Sequence, residues 1–246
     1  MATLAGKTIL IVGGTSGIGY GVAEASLKSQ AEHVIIASSS AAKVEAAVSK
    51  LQALKLGGKV SGKTVDAKST ESVRALVEGV GEIDHLIWTS GDALKMGFPD
   101  VDIDQSKGLF DVRFWGAVTA AKYAKLKKSA SSSITLTHGS VNIKPAKGWS
   151  LVAGMAGAVD SVSRGLAVDL APIRVNAVSP GYVITELWDG LSEEQKQTIF
   201  KQASETLLVQ HVALPHEVAE AYMFLMKCDF ITGKTIEVDG GHALTG

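Results

Sequence analysis

Short apolar runs alternate with longer amphipathic segments along nearly the whole chain. The runs predict seven strands, over residues 8–12, 33–37, 59–65, 85–89, 133–138, 174–178 and 235–238. Several are near-continuous Ile, Val and Leu, the pattern of strands covered on both faces. Between them, apolar residues recur at helical spacing: Ile18, Val22 and Ala25 in the first helix, and Val159, Val162, Leu166 and Leu170 in a long one after residue 150. Pro215 followed by Glu217 marks another helix start, leading into Val218, Ala221, Tyr222 and Leu225. This alternation predicts an α/β fold of Rossmann type: a doubly wound parallel sheet with helices on both faces, linked by right-handed crossovers. With no internal repeat, low-complexity tract or Pro/Ser-rich linker, residues 1–246 read as a single domain. The one long excursion between core elements covers residues 182–214. Its Trp188-Asp189-Gly190-Leu191 start and amphipathic stretch over 193–207 predict a lid over a pocket.

The first strand runs directly into Gly13-x-x-x-Gly17-x-Gly19. A turn without side chains lets backbone N–H groups and a helix N-terminus approach a pyrophosphate, so the segment predicts dinucleotide binding. The second strand ends in Ser38-Ser39-Ser40, with Lys43 close by and no carboxylate. An acidic residue there would hold the ribose hydroxyls of NAD(H). Its absence removes repulsion toward a 2′-phosphate, the serines can donate hydrogen bonds and Lys43 can supply charge. NADP(H) is therefore favoured over NAD(H), although the same serines are suited to capping the next helix.

Composition narrows the class. A hydrophobic content of 46% supports a substantial core, and a formal charge of -1 leaves no footprint for nucleic acid or an anionic membrane. The single cysteine, Cys228, forms no internal disulfide and reads as a structural thiol. The N-terminal apolar run is too short for a signal core or a span, so a cytoplasmic protein is expected. No His, Cys or carboxylate cluster has metal-ligand spacing.

Further strings extend the pattern: Asp66 at the end of the third strand, Thr89-Ser90-Gly91 after the fourth, Asn176 and Pro180-Gly181 near the sixth, Thr185 beyond it, and Val238-Asp239-Gly240-Gly241 near the C-terminus. In order and spacing the chain resembles the short-chain dehydrogenase/reductase family over almost its whole length. The resemblance implies cofactor contacts from Gly13, Thr15, Ser16, Gly17, Ile18 and Gly19. It implies others from Ser38, Ser39, Ser40 and Lys43 around the adenosine ribose, and from Asp66 and Ala67 at the adenine. Ser90 and Gly91, then Pro180, Gly181, Val183 and Thr185, complete the set. It also implies association, as a homodimer or homotetramer, through helices over 109–125 and 149–170.

One part of the family pattern is missing. Aligned on Ser163-Arg164-Gly165-Leu166-Ala167, the family's proton-donating Tyr and its partner Lys fall on Val152 and Ala156. No tyrosine lies between Tyr123 and Tyr182, and no lysine between Lys147 and Lys196, so shifting the alignment does not restore the pair. The family's helix Asn falls on Arg113, and Ser140 lies one residue from the position of its Ser. Losing general acid catalysis typically costs a factor of about 10²–10⁴. An iminium carbon, already positive, needs no proton at the atom that accepts hydride; an activated alkene or carbonyl needs one from elsewhere.

The candidate catalytic residues are therefore Arg113, which can orient a small-molecule substrate or stabilise developing negative charge, and Ser140, which can donate a hydrogen bond. As a permanent cation, Arg113 disfavours a cationic substrate. His138, Lys144 and Lys147 are weaker candidates, Asp160 reads as a helix-surface group, and Trp88, Trp149, Tyr182 and Trp188 are candidate pocket walls. The resulting expectation is an NADP(H)-dependent reductase with an altered site, in a setting such as secondary metabolism. A non-redox NADP(H)-binding sensor and a non-redox cyclase or isomerase are the alternatives.

Overall fold

A computed structural model describes residues 3–245. In chain order the elements are β1 (Thr8–Val12), α1 (Gly17–Lys28), β2 (His33–Ser38), α2 (Ala41–Ala53), β3 (Lys59–Thr64), α3 (Thr70–Gly79), β4 (Glu82–Ile83) and β5 (His85–Trp88). The short α4 (Ile103–Ser106) is followed by a π-helical turn over Asp111–Gly116 that runs into α5 (Ala117–Tyr123). Then come β6 (Lys125–Leu126), β7 (Ser133–Thr137), α6 (Ser150–Asp169), β8 (Arg174–Pro180), α7 (Glu193–Thr206), α8 (Pro215–Lys227) and β9 (Thr235–Val238).

Seven strands form one parallel sheet in the order β3-β2-β1-β5-β7-β8-β9. The period of two along a strand sends alternate residues to opposite layers. Leu10 and Val12 of β1 join a core with Leu86, Trp88, Val112, Ala120, Val152 and Val159, under α3, α5 and α6. Ile9 and Ile11 join the opposite core with Val22, Ile36, Ile87, Val218 and Tyr222, under α1, α2 and α8. All residues of β5 and β8 are buried, the polar His85, Arg174, Asn176 and Ser179 among them. The edge strand β3 departs from that pattern, with Lys59, Lys63 and Thr64 exposed, because only one neighbour covers it. The two-residue strands β4 and β6 pair in a separate parallel ladder that the sequence pattern did not reveal.

The helix Ser150–Asp169 is long and apolar enough to cross a membrane by length and composition alone. Here it packs against the sheet, burying Val152, Met155, Ala156, Val159 and Ser163. The described residues hold no group of three or more His, Cys, Asp or Glu arranged for a metal ion.

A buried carboxylate ties the N-terminal ends of the strands together. Asp84, its side chain 1% exposed, accepts from the Thr8 N–H (2.9 Å), from Lys127 Nζ (3.0 and 3.1 Å) and from Lys7 Nζ (3.3 Å). Burial opposes its ionisation, but the Thr8 N–H and the two lysines outweigh that and hold its pKa below the ordinary value. A depressed carboxylate contributes stability above its unfolded pKa and loses it as pH falls through the folded one. Both lysines are partly exposed, which screens the pairs, so Asp84→Asn is expected to cost about 2–3 kcal/mol near neutral pH. Urea melts should show that gap closing below the ordinary carboxylate range. A gap independent of pH would show that the charge is not what stabilises.

Candidate active site

The strand order reverses at β1, whose neighbours β2 and β5 lead into crossovers on opposite faces. A crevice at that switch point is where open α/β sheets bind ligands. A cavity of about 1010 Å³ opens there, along the C-terminal ends of β1, β5, β7 and β8. Gly13, Thr15, Ser16, Gly17, Ile18 and Gly19 line one end. Gly13 has φ +92°, and a Cβ on it would lie 2.6 Å from the Ser90 nitrogen. A Cβ on Gly19 would overlap the Gly13 carbonyl oxygen. The turn thus packs against the β5 loop by backbone alone, with the N-terminus of α1 facing the cavity, and no acidic residue lies in the first turn of that helix. The cradle fits a dinucleotide pyrophosphate.

Ser38, Ser39, Asp66 and Ala67 line the adjoining wall, as do Ser90, Gly91, Pro180, Gly181, Val183 and Thr185. Two expected contacts fall outside that lining. Ser40 is the N-cap of α2, its hydroxyl accepting from the Lys43 N–H at 3.3 Å, and Lys43 is exposed. The helix-capping alternative is what the geometry places at Ser40. Asn176 is also displaced from its expected role: fully buried in mid-strand, it donates to the Ile231 carbonyl (3.0 Å) and accepts from the Lys234 N–H (3.1 Å), fastening the approach to β9.

The other end of the cavity is the candidate reaction centre. There α6 contributes Val152, Met155 and Ala156, none of them ionisable. Arg113 comes from the π-helical turn, a distortion frequent at functional sites. Its guanidinium lies against Gly91, where a Cβ would collide with it. Nη2 donates to the Asp92 carbonyl at 2.7 Å, and Nε is buried with no partner among the described residues. Burial lowers the pKa of Arg113, with the Asp92 charge opposing, but a guanidinium remains a cation at neutral pH. Ser140 sits in a short 3₁₀ turn after β7, 7% exposed and on the cavity wall.

His138 lines the cavity, with one ring nitrogen engaged and the other, Nε2, buried without a partner among the described residues. Nδ1 lies 3.1 Å from the Gly139 carbonyl, which can only accept, so that nitrogen carries the proton. Nε2 is 3.9 Å from Asp160, beyond hydrogen-bond range. Burial lowers the His138 pKa, opposed by the Gly139 carbonyl and Asp160. Asp160 accepts from Thr235 (2.6 Å) and Arg164 (2.9 Å), a structural junction between α6 and β9. Trp149, Tyr182 and Trp188 are on the cavity wall, whereas Trp88 is core, its indole donating to the Val112 carbonyl at 3.1 Å beneath the π-turn.

The start of the segment over 182–214 lines the cavity, through Tyr182, Val183, Thr185, Glu186, Leu187, Trp188 and Gly190. Val183 bridges to Ala213 at its two ends. Tyr182 stacks on Trp188 (6.2 Å, 16°), which meets Phe200 of α7 edge-on at 5.6 Å. Two wall residues escaped the sequence reading in their structural roles. Lys144 turns its ammonium onto the C-terminal turn, donating to the His242 carbonyl (3.0 Å) and Thr245 Oγ1 (2.7 Å). His242 itself lines the cavity. The matched Val238-Asp239-Gly240-Gly241 signature ends one residue before it and was the only available pointer.

Comparison with known proteins follows the same outline. A family model described as an SDR-like Rossmann domain matches residues 1–245. The short-chain dehydrogenase/reductase ucsE of an Acremonium species is 37% identical, over 97% of this chain and 96% of that protein. The short-chain dehydrogenase/reductase ATR9 of Stachybotrys chlorohalonatus is 34% identical, over 99% and 100%. Among solved structures, the MalC reductase/Diels-Alderase of Malbranchea aurantiaca superposes with a TM-score of 0.91 at 34% identity, over 98% of both chains. A small-chain dehydrogenase in complex with NADPH superposes with a TM-score of 0.79 at 32% identity, over 97% and 99%.

Proposed function

We propose, since the chain belongs to the short-chain dehydrogenase/reductase family, that it is an NADP(H)-dependent reductase whose reacting end is served by a fixed cation in place of the family's Tyr–Lys pair. The observation that carries this reading is Arg113: a guanidinium in the wall of the cavity, held by a single hydrogen bond to the Asp92 carbonyl, in a chamber where α6 offers only Val152, Met155 and Ala156.

NADPH, when bound, supplies the hydride. The glycine turn and the α1 N-terminus hold its pyrophosphate, and Ser38 and Ser39 hold the 2′-phosphate. The superposed dehydrogenase in complex with NADPH supports that preference. Arg113 orients the substrate and stabilises negative charge as it develops on oxygen, Ser140 adds a hydrogen bond, and water supplies the proton that completes the reduction, since Val152, Met155 and Ala156 of α6 carry none to give. The positive wall disfavours an iminium and favours an activated carbonyl or alkene. Leu94, Val141, Trp149 and Met155 make the substrate chamber apolar. Exposed Trp115 (58%) and Val168 (78%), on the helices expected to mediate association, support a homodimer or homotetramer.

Titration calorimetry with NADPH and NADH, followed by NADPH oxidation across iminium, enone and activated ketone probes, tests the reading. Binding with turnover of the ketone or enone is expected. No oxidation across the panel would overturn it. Ser38→Asp places a carboxylate at the end of β2, and is expected to weaken NADPH by about tenfold or more relative to NADH. An unchanged ratio would remove Ser38 from the 2′-phosphate site.

A specific observation favours a second reading. The superposed MalC protein is named a reductase/Diels-Alderase, and a chamber with apolar walls and the Arg113 cation also suits templating a ring closure. Substrate conversion without NADPH consumption would mark that activity.

A further inference from the structure

After β9 the chain reverses through Asp239, Gly240 and Gly241 into a 3₁₀ turn over His242–Leu244. Two clamps fix that turn. Asp239 accepts from the Gly241 N–H and the Ala243 N–H, both at 2.9 Å. Lys144, arriving from the loop after β7, donates to the His242 carbonyl (3.0 Å), to Thr245 Oγ1 (2.7 Å) and to the Thr245 carbonyl. One side chain within the turn and one from about a hundred residues earlier thus hold residues 239–245. Such ordering is wasted on a surface tail, but it is what a binding wall requires.

The clamps set one ring. The His242 imidazole meets Tyr182 edge-on, with centroids 5.3 Å apart and planes at 86°. It lines the same cavity as Arg113; its Nδ1 is buried without a partner among the described residues, so Nε2 is the nitrogen left to meet a ligand. Burial lowers the His242 pKa, Lys144 lowers it further, and Asp239 opposes. The ring is therefore neutral at neutral pH, with one donor and one acceptor nitrogen. A neutral imidazole against an apolar chamber recognises a hydroxyl or carbonyl better than a charged group.

We propose that His242 is a substrate-contacting residue that hydrogen-bonds a hydroxyl or carbonyl group of the substrate from the β9 side of the cavity, and that Lys144 and Asp239 are its positioning residues. The proposal rests on the reading of the cavity as a reductase pocket. It assigns specificity to a residue outside the family's catalytic positions. Tyr182 touches both His242 and Trp188, so the three rings form one continuous stretch of the cavity wall.

The test uses the full chain, with 9,10-phenanthrenequinone, an apolar activated dicarbonyl, as the probe. His242→Phe keeps the edge-on packing and removes both nitrogens; His242→Gln restores a donor and an acceptor; Lys144→Met frees the turn. His242→Phe is expected to raise KM about tenfold, the worth of one hydrogen bond, with kcat little changed. Lys144→Met should move KM the same way, and His242→Gln should recover most of the loss. NADPH affinity by calorimetry should be the same in all four proteins. An unchanged KM in His242→Phe overturns the proposal, as does a KM rise that Gln does not rescue or that tracks lost NADPH affinity. Should the wild type bind NADPH yet leave the quinone unreduced, the reductase reading fails by itself. Calorimetric binding of the quinone to the NADP⁺ complex then decides: weaker binding in His242→Phe supports the contact, and equal or absent binding in wild type and variant overturns it.

Discussion

Replacing Arg113 by leucine will lower kcat for an activated ketone by about 10²–10³-fold, the usual cost of losing one preorganised oxyanion donor. NADPH affinity will stay as it was, because the glycine turn and the serines after β2 are untouched. Stability will move the other way from activity. The guanidinium makes one hydrogen bond, to Asp92, and leaves Nε buried and unpaired. Exchanging a poorly compensated buried charge for an apolar side chain is often neutral or stabilising. Thermal melts should therefore show Tm unchanged or raised in the variant that has lost turnover. Arg113→Lys tests the geometry separately: it keeps the charge but loses the planar fork that lies against Gly91. If leucine at 113 destabilises the fold and spares kcat, Arg113 is a structural residue and the proposed chemistry loses its electrophile.

The second large effect lies at the opposite end of the cavity. Gly13→Val is expected to remove detectable NADPH binding and to lower Tm as well. At φ +92° a β-branched residue is strained wherever there is space, and here the Cβ would meet the Ser90 nitrogen at 2.6 Å and Thr89 Oγ1 at 2.7 Å. The tips of β1 and β5 would have to separate, and both belong to the central pair of the sheet. Gly17→Ala keeps the two consequences apart. Its Cβ would lie 3.1 Å from Thr185 Cγ2, a contact that a surface segment can relax. The left-handed backbone there, φ +50°, costs an alanine about 1 kcal/mol. Calorimetry should show affinity falling by about tenfold or more in Gly17→Ala with only a small drop in Tm. Full affinity in both variants would mean that this turn does not cradle the cofactor.

The elements buried on both faces were legible because burial writes itself into composition. Isoleucine, leucine and valine dominate β1 and β2, and the alternation of side chains divides Leu10 and Val12 from Ile9 and Ile11 between the two cores. The glycine turn was legible because its backbone conformation excludes other residues. The site was less so, since contacts set by tertiary approach leave no local trace. Ser40 was read as a ribose contact because a helix cap and a phosphate ligand use the same hydroxyl; the deciding fact is where α2 begins. Asn176 sits in a string that resembles a cofactor-binding one, yet its amide is consumed by the backbone at Ile231 and Lys234. The π-turn that carries Arg113 has no propensity signature, and it follows from packing Gly116 over Trp88. His242 escaped notice because it is one histidine in a short irregular turn, made significant by a lysine almost a hundred residues earlier.

The chain has four tryptophans, and two of them, Trp149 and Trp188, stand in the wall of the cavity. Trp188 is anchored by its Nε1 to the Val183 carbonyl at 2.8 Å, so its ring is held in one orientation. Indole emits where a dihydronicotinamide absorbs. If the chamber holds the reduced cofactor as proposed, these two rings are an optical gauge of it: light they absorb would pass to the dihydronicotinamide, and that signal would disappear as the cofactor is spent.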